Sequence, residues 1–183
     1  MNTLNGNITA IQSHEGISLV KVKSNDIIFT SIVLDTPETA SYLQTGHSVK
    51  IIFKETEVII SKDSNPNISI QNRLQCTIES IKKGILLSQI NLDFGGTIIE
   101  SIITTNACEQ LQLEKNDTVI ALVKTNEVSL SPNDWFRPIM AHGKIGVYHN
   151  AYSPTFGNSA LLLAYLQPVP IQGCHRSHHQ FAI

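Results

Sequence analysis

Charge is scarce in this chain. Asp, Glu, Lys and Arg together make up 15% of its 183 residues, and the net charge is −2. A strongly basic face, the electrostatic footprint of a nucleic-acid or anionic-membrane binder, is therefore not expected. Aromatic residues are scarcer still, at 6%, which leaves few rings on which nucleobases would stack. No apolar run approaches the roughly 18 residues of a transmembrane helix, so no membrane partner is expected. The opening MNTLNGNITA has no basic start followed by an apolar stretch, and no signal peptide is expected. The three cysteines, Cys76, Cys108 and Cys174, are odd in number and unpatterned. They fit a reduced, cytoplasmic protein better than a disulfide framework. Catalytic signatures are missing too. There is no G-x-S-x-G, no G-x-x-x-x-G-K-[ST] and no G-x-G-x-x-G, so neither catalytic residues nor an enzymatic activity is expected.

What is present is a repeat. SIQNRLQCTIESI, residues 69–81, echoes NTLNGNITAI, residues 2–11, at a spacing of 70. Asn72 falls over Asn2, Leu74 over Leu4, Ile78 over Ile8 and Ile81 over Ile11. Further on, Ser31-Ile32-Val33 aligns with Ser101-Ile102-Ile103, and FKETEVII (53–60) with VKTNEVSL (123–130). Between Ile11 and Ser31 the alignment slips to 68, placing Gly16 over Gly84, which predicts a small loop difference. Self-similarity of this kind marks a duplicated unit.

Apolar content is 42%, and the excess is Ile, Val and Leu rather than aromatics. With abundant Ser and Thr, this composition favours strands. Each copy reads βββαββ. A first strand alternates through Leu4, Gly6, Ile8 and Ala10, or Leu74, Cys76, Ile78 and Ser80. A second and a third strand follow (18–22 and 27–34 in the first copy). A short helix comes next. In TPETASYL, Thr36 is a candidate N-cap and Pro37 suits the first helical position. In NACEQLQL, Asn106 is the expected cap, with Glu109 completing a capping-box pattern. Two strands, Ser48–Phe53 and 57–61 in the first copy, are expected to close each sheet. A sheet this small hides its edges best as a closed barrel. The expected fold is thus all-β: two tandem five-stranded OB-like β-barrels, over residues 1–63 and 67–132, joined by the polar KDSNPN linker.

Residues 133–183 form a poorly patterned C-terminal extension. From Trp135 onward there is no Asp or Glu, while five of the seven histidines occur there. SALLLAYL (159–166) is long enough only for a short buried element. CHRSHH (174–179) is one cluster of metal-ligand types where zinc requires two separated pairs, so no metal site is expected. A loosely packed extension is the expectation.

The chemistry that recurs is donor-rich. Lys54 and Lys124 occupy the same place in the two copies, at a turn between the last two strands. A turn lysine is ordinarily only solvated. Here its company includes Thr104, Thr105 and Asn106 before the second helix, where free N–H groups and the positive helix end would lie. Ser69, Gln71 and Asn72 open the second repeat with further donors. Such a set suits a small oxyanion. Cys108 in the predicted first helical turn is read as a small core residue, and His14 and His47 as solvated turn residues.

NISIQNRLQCTI followed by VKTNEV resembles the molybdate-binding Mop domain, also called the TOBE domain. Its copies typically begin with Ser-x-Arg-Asn and Leu-x-Gly-x-Val-x-x-Ile, carry Thr-Asn before the helix, and end with a Lys-Ala-Ser-like turn. The resemblance covers residues 2–61 and 67–131 and is similar to the tandem, di-Mop arrangement. It implies that Ser69, Asn72, Thr104, Asn106, Lys124 and Thr125 stand at oxyanion-binding positions, with Gln71 in place of the family's arginine and Arg73 two residues on. In the first copy only Lys54 is clearly kept, and Glu55 after it would repel an anion. The resemblance also implies molybdate or tungstate as bound ligand, no organic cofactor, and sites between subunits. A homo-oligomer is therefore expected, a trimer of tandem chains being one arrangement that fits. Small barrel cores independently favour association. Storage or homeostasis of the oxyanion is the expected role. The alternative is an interaction module that keeps the fold and has lost the anion.

Overall fold

The computed structural model describes residues 1–133, together with the backbone of Ile139–Ala141 and Lys144–Gly146. The expectations for 159–166 and 174–179 lie outside the described residues. Two five-stranded antiparallel sheets dominate. The first repeat supplies β1 (Asn2–His14), β2 (Ile17–Ser24), β3 (Ile27–Val33), β4 (Ser48–Phe53) and β5 (Ile59–Ser61). The second supplies β6 (Asn72–Lys83), β7 (Leu87–Phe94), β8 (Thr97–Thr104), α1 (Thr105–Gln110), β9 (Thr118–Val123) and β10 (Ser129–Pro132). A small hairpin, β11 (Ile139–Ala141) with β12 (Lys144–Gly146), follows.

The strand order is β10-β4-β1-β2-β3 in one sheet and β5-β9-β6-β7-β8 in the other. The sequence reading had each copy closed by its own last strand. Instead the last strands are exchanged: β10 pairs with β4, and β5 with β9. A serine bridges each seam. Ser31 Oγ donates to the Val128 carbonyl at 2.6 Å, and Ser101 Oγ to the Val58 carbonyl at 2.8 Å. The exchange merges the two interiors, so buried residues of both repeats, from Leu4 and Phe29 to Leu74 and Leu130, form one apolar cluster.

Strand alternation follows the sequence. In β1, Asn2, Leu4, Gly6 and Ile8 point inward and the residues between them outward. Gly6 is required by packing, because a Cβ there would lie 2.7 Å from Val22 Cγ1 and 2.8 Å from the Lys23 carbonyl. The repeat extends to irregularities. β1 has a bulge between Ile8 and Ala10, and β6 has one between Ile78 and Ser80.

Two local expectations change. The predicted slip to an offset of 68 does not occur. Ser18 pairs with Val33 and Ser88 with Ile103, each 70 apart, and Gly84 takes the place of His14. Strand pairing fixes the register, and the two glycines merely sit at different points of equivalent turns. The segment after β3 forms no helix. It makes one turn, with Thr39 and Ala40 N–H groups donating to the Thr36 carbonyl at 3.0 and 2.9 Å. Thr39 Oγ1 accepts from the Thr36 N–H at 2.9 Å, a local bond that competes with helix extension. In the second repeat α1 does form, but its cap is Thr104. That hydroxyl accepts from the Ala107 N–H at 3.2 Å, and Asn106 lies inside the helix.

Candidate functional site

β6 is preceded by an arm, residues 69–71, that leaves the interrepeat linker. β9 ends at Val123, and Lys124 opens a single 3-10 turn, Thr125–Glu127. The exchange of β10 carries this turn against β3 of the first repeat. Arm and turn therefore meet over the first repeat's β2–β3 pair, where Leu19 lies opposite Ile32. Between them is a cavity of about 380 Å³, lined by Leu19, Ile32, Ser69, Ile70, Gln71, Lys124, Thr125 and Asn126. Its walls differ in kind. The second repeat contributes an ammonium, hydroxyls and amides besides Ile70, and the first contributes two aliphatic side chains. Among the described residues no carboxylate lines it. Ser69, Gln71, Lys124 and Asn126 are exposed in the single chain.

Of the sequence-derived candidates, Ser69, Gln71, Lys124 and Thr125 are brought together here. Asn72 is not among the lining residues. It is fully buried, its Oδ1 accepts from the Thr30 N–H at 2.7 Å, and its Nδ2 donates to the Thr30 carbonyl at 2.9 Å. Asn2 does the same to Glu100, both bonds at 2.8 Å. These amides act as one-residue strands on the free edges of β3 and β8. The recurrence of asparagine at the start of both copies, Asn2 and Asn72, was the sequence signal for this structural use.

Thr104, Thr105 and Asn106 lie at the start of α1, away from this cavity. Thr105 Oγ1 donates to the Gly84 carbonyl at 2.9 Å and lies 3.0 Å from Ser88 Oγ. Lys54 opens the corresponding 3-10 turn, Glu55–Glu57, which packs against β8. There Glu55 pairs with the Met1 ammonium at 2.9 Å, and that ammonium holds its carboxyl below the ordinary carboxylate range. A charged Glu55 beside Lys54 opposes anion binding. The two equivalent turns thus differ in charge.

The sequence places Arg73 two residues past Gln71 without giving it a role, and it does not reveal the aliphatic wall. Arg73 does not line the cavity. Its guanidinium instead bonds the arm and linker, donating to the Ile70 carbonyl at 3.0 Å, Asn65 Oδ1 at 3.0 Å and the Ile68 carbonyl at 2.9 Å. Cys76 and Cys108 are buried, and burial pushes the Cys76 thiol up to about 12. Among the described residues no cluster of His, Cys, Asp or Glu could hold a metal ion, and no helix is long and apolar enough to cross a membrane.

The sequence profile of the TOBE domain matches residues 68–130. Molybdenum-pterin-binding protein 2 of Clostridium pasteurianum is 31% identical over 65 residues, which are 35% of this chain and 96% of that protein. The molybdenum import ATP-binding protein ModC of Rhizobium etli is 31% identical over 123 residues, 67% of this chain. The chain spans only 32% of that protein's length. Among solved structures, the cytoplasmic molybdate-binding protein ModG, with molybdate bound, shares the fold. It matches with a TM-score of 0.67 at 24% identity, over 72% of this chain and 95% of that one. By its twofold β-barrel architecture and these relatives, the chain belongs to the Mop/TOBE molybdate-binding family.

Proposed function

We propose that this chain binds molybdate, and its congener tungstate, for storage or homeostasis inside the cell. The observation that carries this reading is the convergence of Ser69, Gln71, Lys124 and Thr125 on one cavity with no carboxylate among its described lining residues. Molybdate is a dianion at neutral pH with four acceptor oxygens and no proton. Donor groups suit it, whereas the O–H of hydrogen phosphate needs an acceptor. Sulfate shares charge and shape, so its rejection rests on cavity size. One lysine is too little charge to bury a dianion. The exposure of Ser69, Gln71 and Lys124 supports a site completed by another copy of the chain, in a homo-oligomer. Thr104 and Asn106, also exposed and away from the cavity, are donors that such a copy would bring.

Calorimetric titration with molybdate, tungstate, sulfate and phosphate tests the proposal. Micromolar or tighter binding is expected for the first two and weak binding for the others. Lys124→Ala removes a charge-assisted contact and is expected to weaken molybdate by about tenfold to a hundredfold. Absence of heat with molybdate, in a sample whose assembly is confirmed by light scattering, refutes it.

A further inference from the structure

The arm that brings Ser69 and Gln71 to the cavity belongs to no strand before Asn72. An arm without ladder bonds must be ordered by other means, or ordering it weakens every contact it makes. Two adjacent side chains act on it from opposite sides. Asn72 points inward and is fixed to Thr30. Arg73 points outward and spreads three hydrogen bonds over Ile68, Ile70 and Asn65, at 2.9 to 3.0 Å. The two carbonyls it holds flank Ser69 in sequence. The planar guanidinium suits this task because its donors diverge in a fixed fork. The first repeat has Thr3 at the equivalent position.

Resting on the molybdate reading above, we propose that Arg73 is a positioning residue of the oxyanion site. It fixes the backbone on both sides of Ser69, so that the Ser69 hydroxyl and the Gln71 amide are in place before the anion arrives. Arg73 thereby serves the site although it stands outside the cavity and does not replace the charge that Gln71 lacks.

The test compares Arg73→Gln, Arg73→Lys and Asn65→Ala with the unmodified chain by two measurements. Amide hydrogen exchange at residues 69–71, without anion, reads order in the arm. Calorimetry with sodium molybdate reads the site. Arg73→Gln is expected to accelerate exchange and to weaken molybdate by roughly tenfold, the cost of ordering a few residues at binding. Arg73→Lys keeps the charge but loses the fork, and is expected to behave like Arg73→Gln. Asn65→Ala removes one of the three bonds without changing charge, and is expected to give a smaller shift in both readouts. Arg73→Lys binding as tightly as the unmodified chain would overturn the proposal, because charge alone would then suffice. So would unchanged exchange in Arg73→Gln. If the unmodified chain gives no heat with molybdate, the functional reading fails, and hydrogen exchange alone then decides whether Arg73 orders the arm. Lys124→Ala separates the two effects, with molybdate weakened by about tenfold to a hundredfold and exchange at 69–71 unchanged.

Discussion

Asn72→Ala should be one of the most damaging single substitutions of a polar residue in this fold. The Asn72 side chain is 0% exposed and satisfies both backbone groups of Thr30, itself 7% exposed. β3 is the last strand of its sheet, so on that side Thr30 has no strand partner among the described residues. Truncation leaves one buried N–H and one buried C=O unpaired, at about 1–3 kcal/mol each. Water entering the vacated space recovers part of this, and a net loss of about 3 kcal/mol is expected. For a chain of this size that corresponds to a fall of roughly 10 °C in melting temperature. Asn2→Ala is the internal control. Glu100, its partner, is only half-buried, so water can replace the lost bonds and about 1–2 kcal/mol is expected. Urea titrations of both variants, followed by circular dichroism, measure the difference. A loss below about 1 kcal/mol for Asn72→Ala, or a larger loss for Asn2→Ala, would refute the account of these amides as surrogate strands.

Gly6→Ala places a methyl group 2.7 Å from Val22 Cγ1 and 2.8 Å from a backbone carbonyl. It should cost about 1–3 kcal/mol in the same urea titration, and an unchanged midpoint would contradict the close packing of β1 on β2. Asp117 bonds Lys62 at 2.8 Å, and the Lys62 ammonium holds its carboxyl below the ordinary aspartate range. A depressed folded pKa means that its contribution is complete above the unfolded pKa and disappears as pH falls through the folded one. The stability difference between the unmodified chain and Asp117→Asn should therefore be largest at neutrality and vanish on strong acidification. A difference independent of pH would show that the ion pair is not its source.

The duplication was legible because β-structure repeats its inward positions strictly, so shared Leu and Ile marked shared core. The hairpin register was misjudged where glycines were aligned instead of strands. A glycine can occupy any of several positions in a turn, as Gly16 and Gly84 do. The helix after β3 failed because capping residues such as Thr36 and Thr39 also stabilise an isolated turn. The residues of the candidate site stand out in the sequence as donor types, not as neighbours. Nothing in the text of Ser69 or Lys124 names Leu19 and Ile32, which reach them only because the chain crosses between sheets. Nor does an asparagine code distinguish a ligand from a buried clamp.

The crossing has its own test. Period-2 alternation specifies which face of a strand is buried, not which sheet receives it, so β5 and β10 read identically whether exchanged or not. The packing decides. In the intact chain β5 closes the second barrel, bringing Val58 and Ile60, 2% and 7% exposed, and accepting the Ser101 hydrogen bond through the Val58 carbonyl. A fragment of residues 67–132 loses all of these. Two buried aliphatic side chains are worth about 1.5–3 kcal/mol each. Their sum approaches the roughly 5–15 kcal/mol that stabilises a whole domain. At the same time its own β10 is left without β4. A second fragment supplies what each lacks, since the β10 of one occupies the place of β5 on the other. The fragment is therefore expected to have no folded monomer and to melt at a temperature that rises with concentration. Light scattering should give an even number of fragments per particle. A folded monomer melting independently of concentration would mean that β10 can turn back onto β9, and that the exchange is not required to close the barrel.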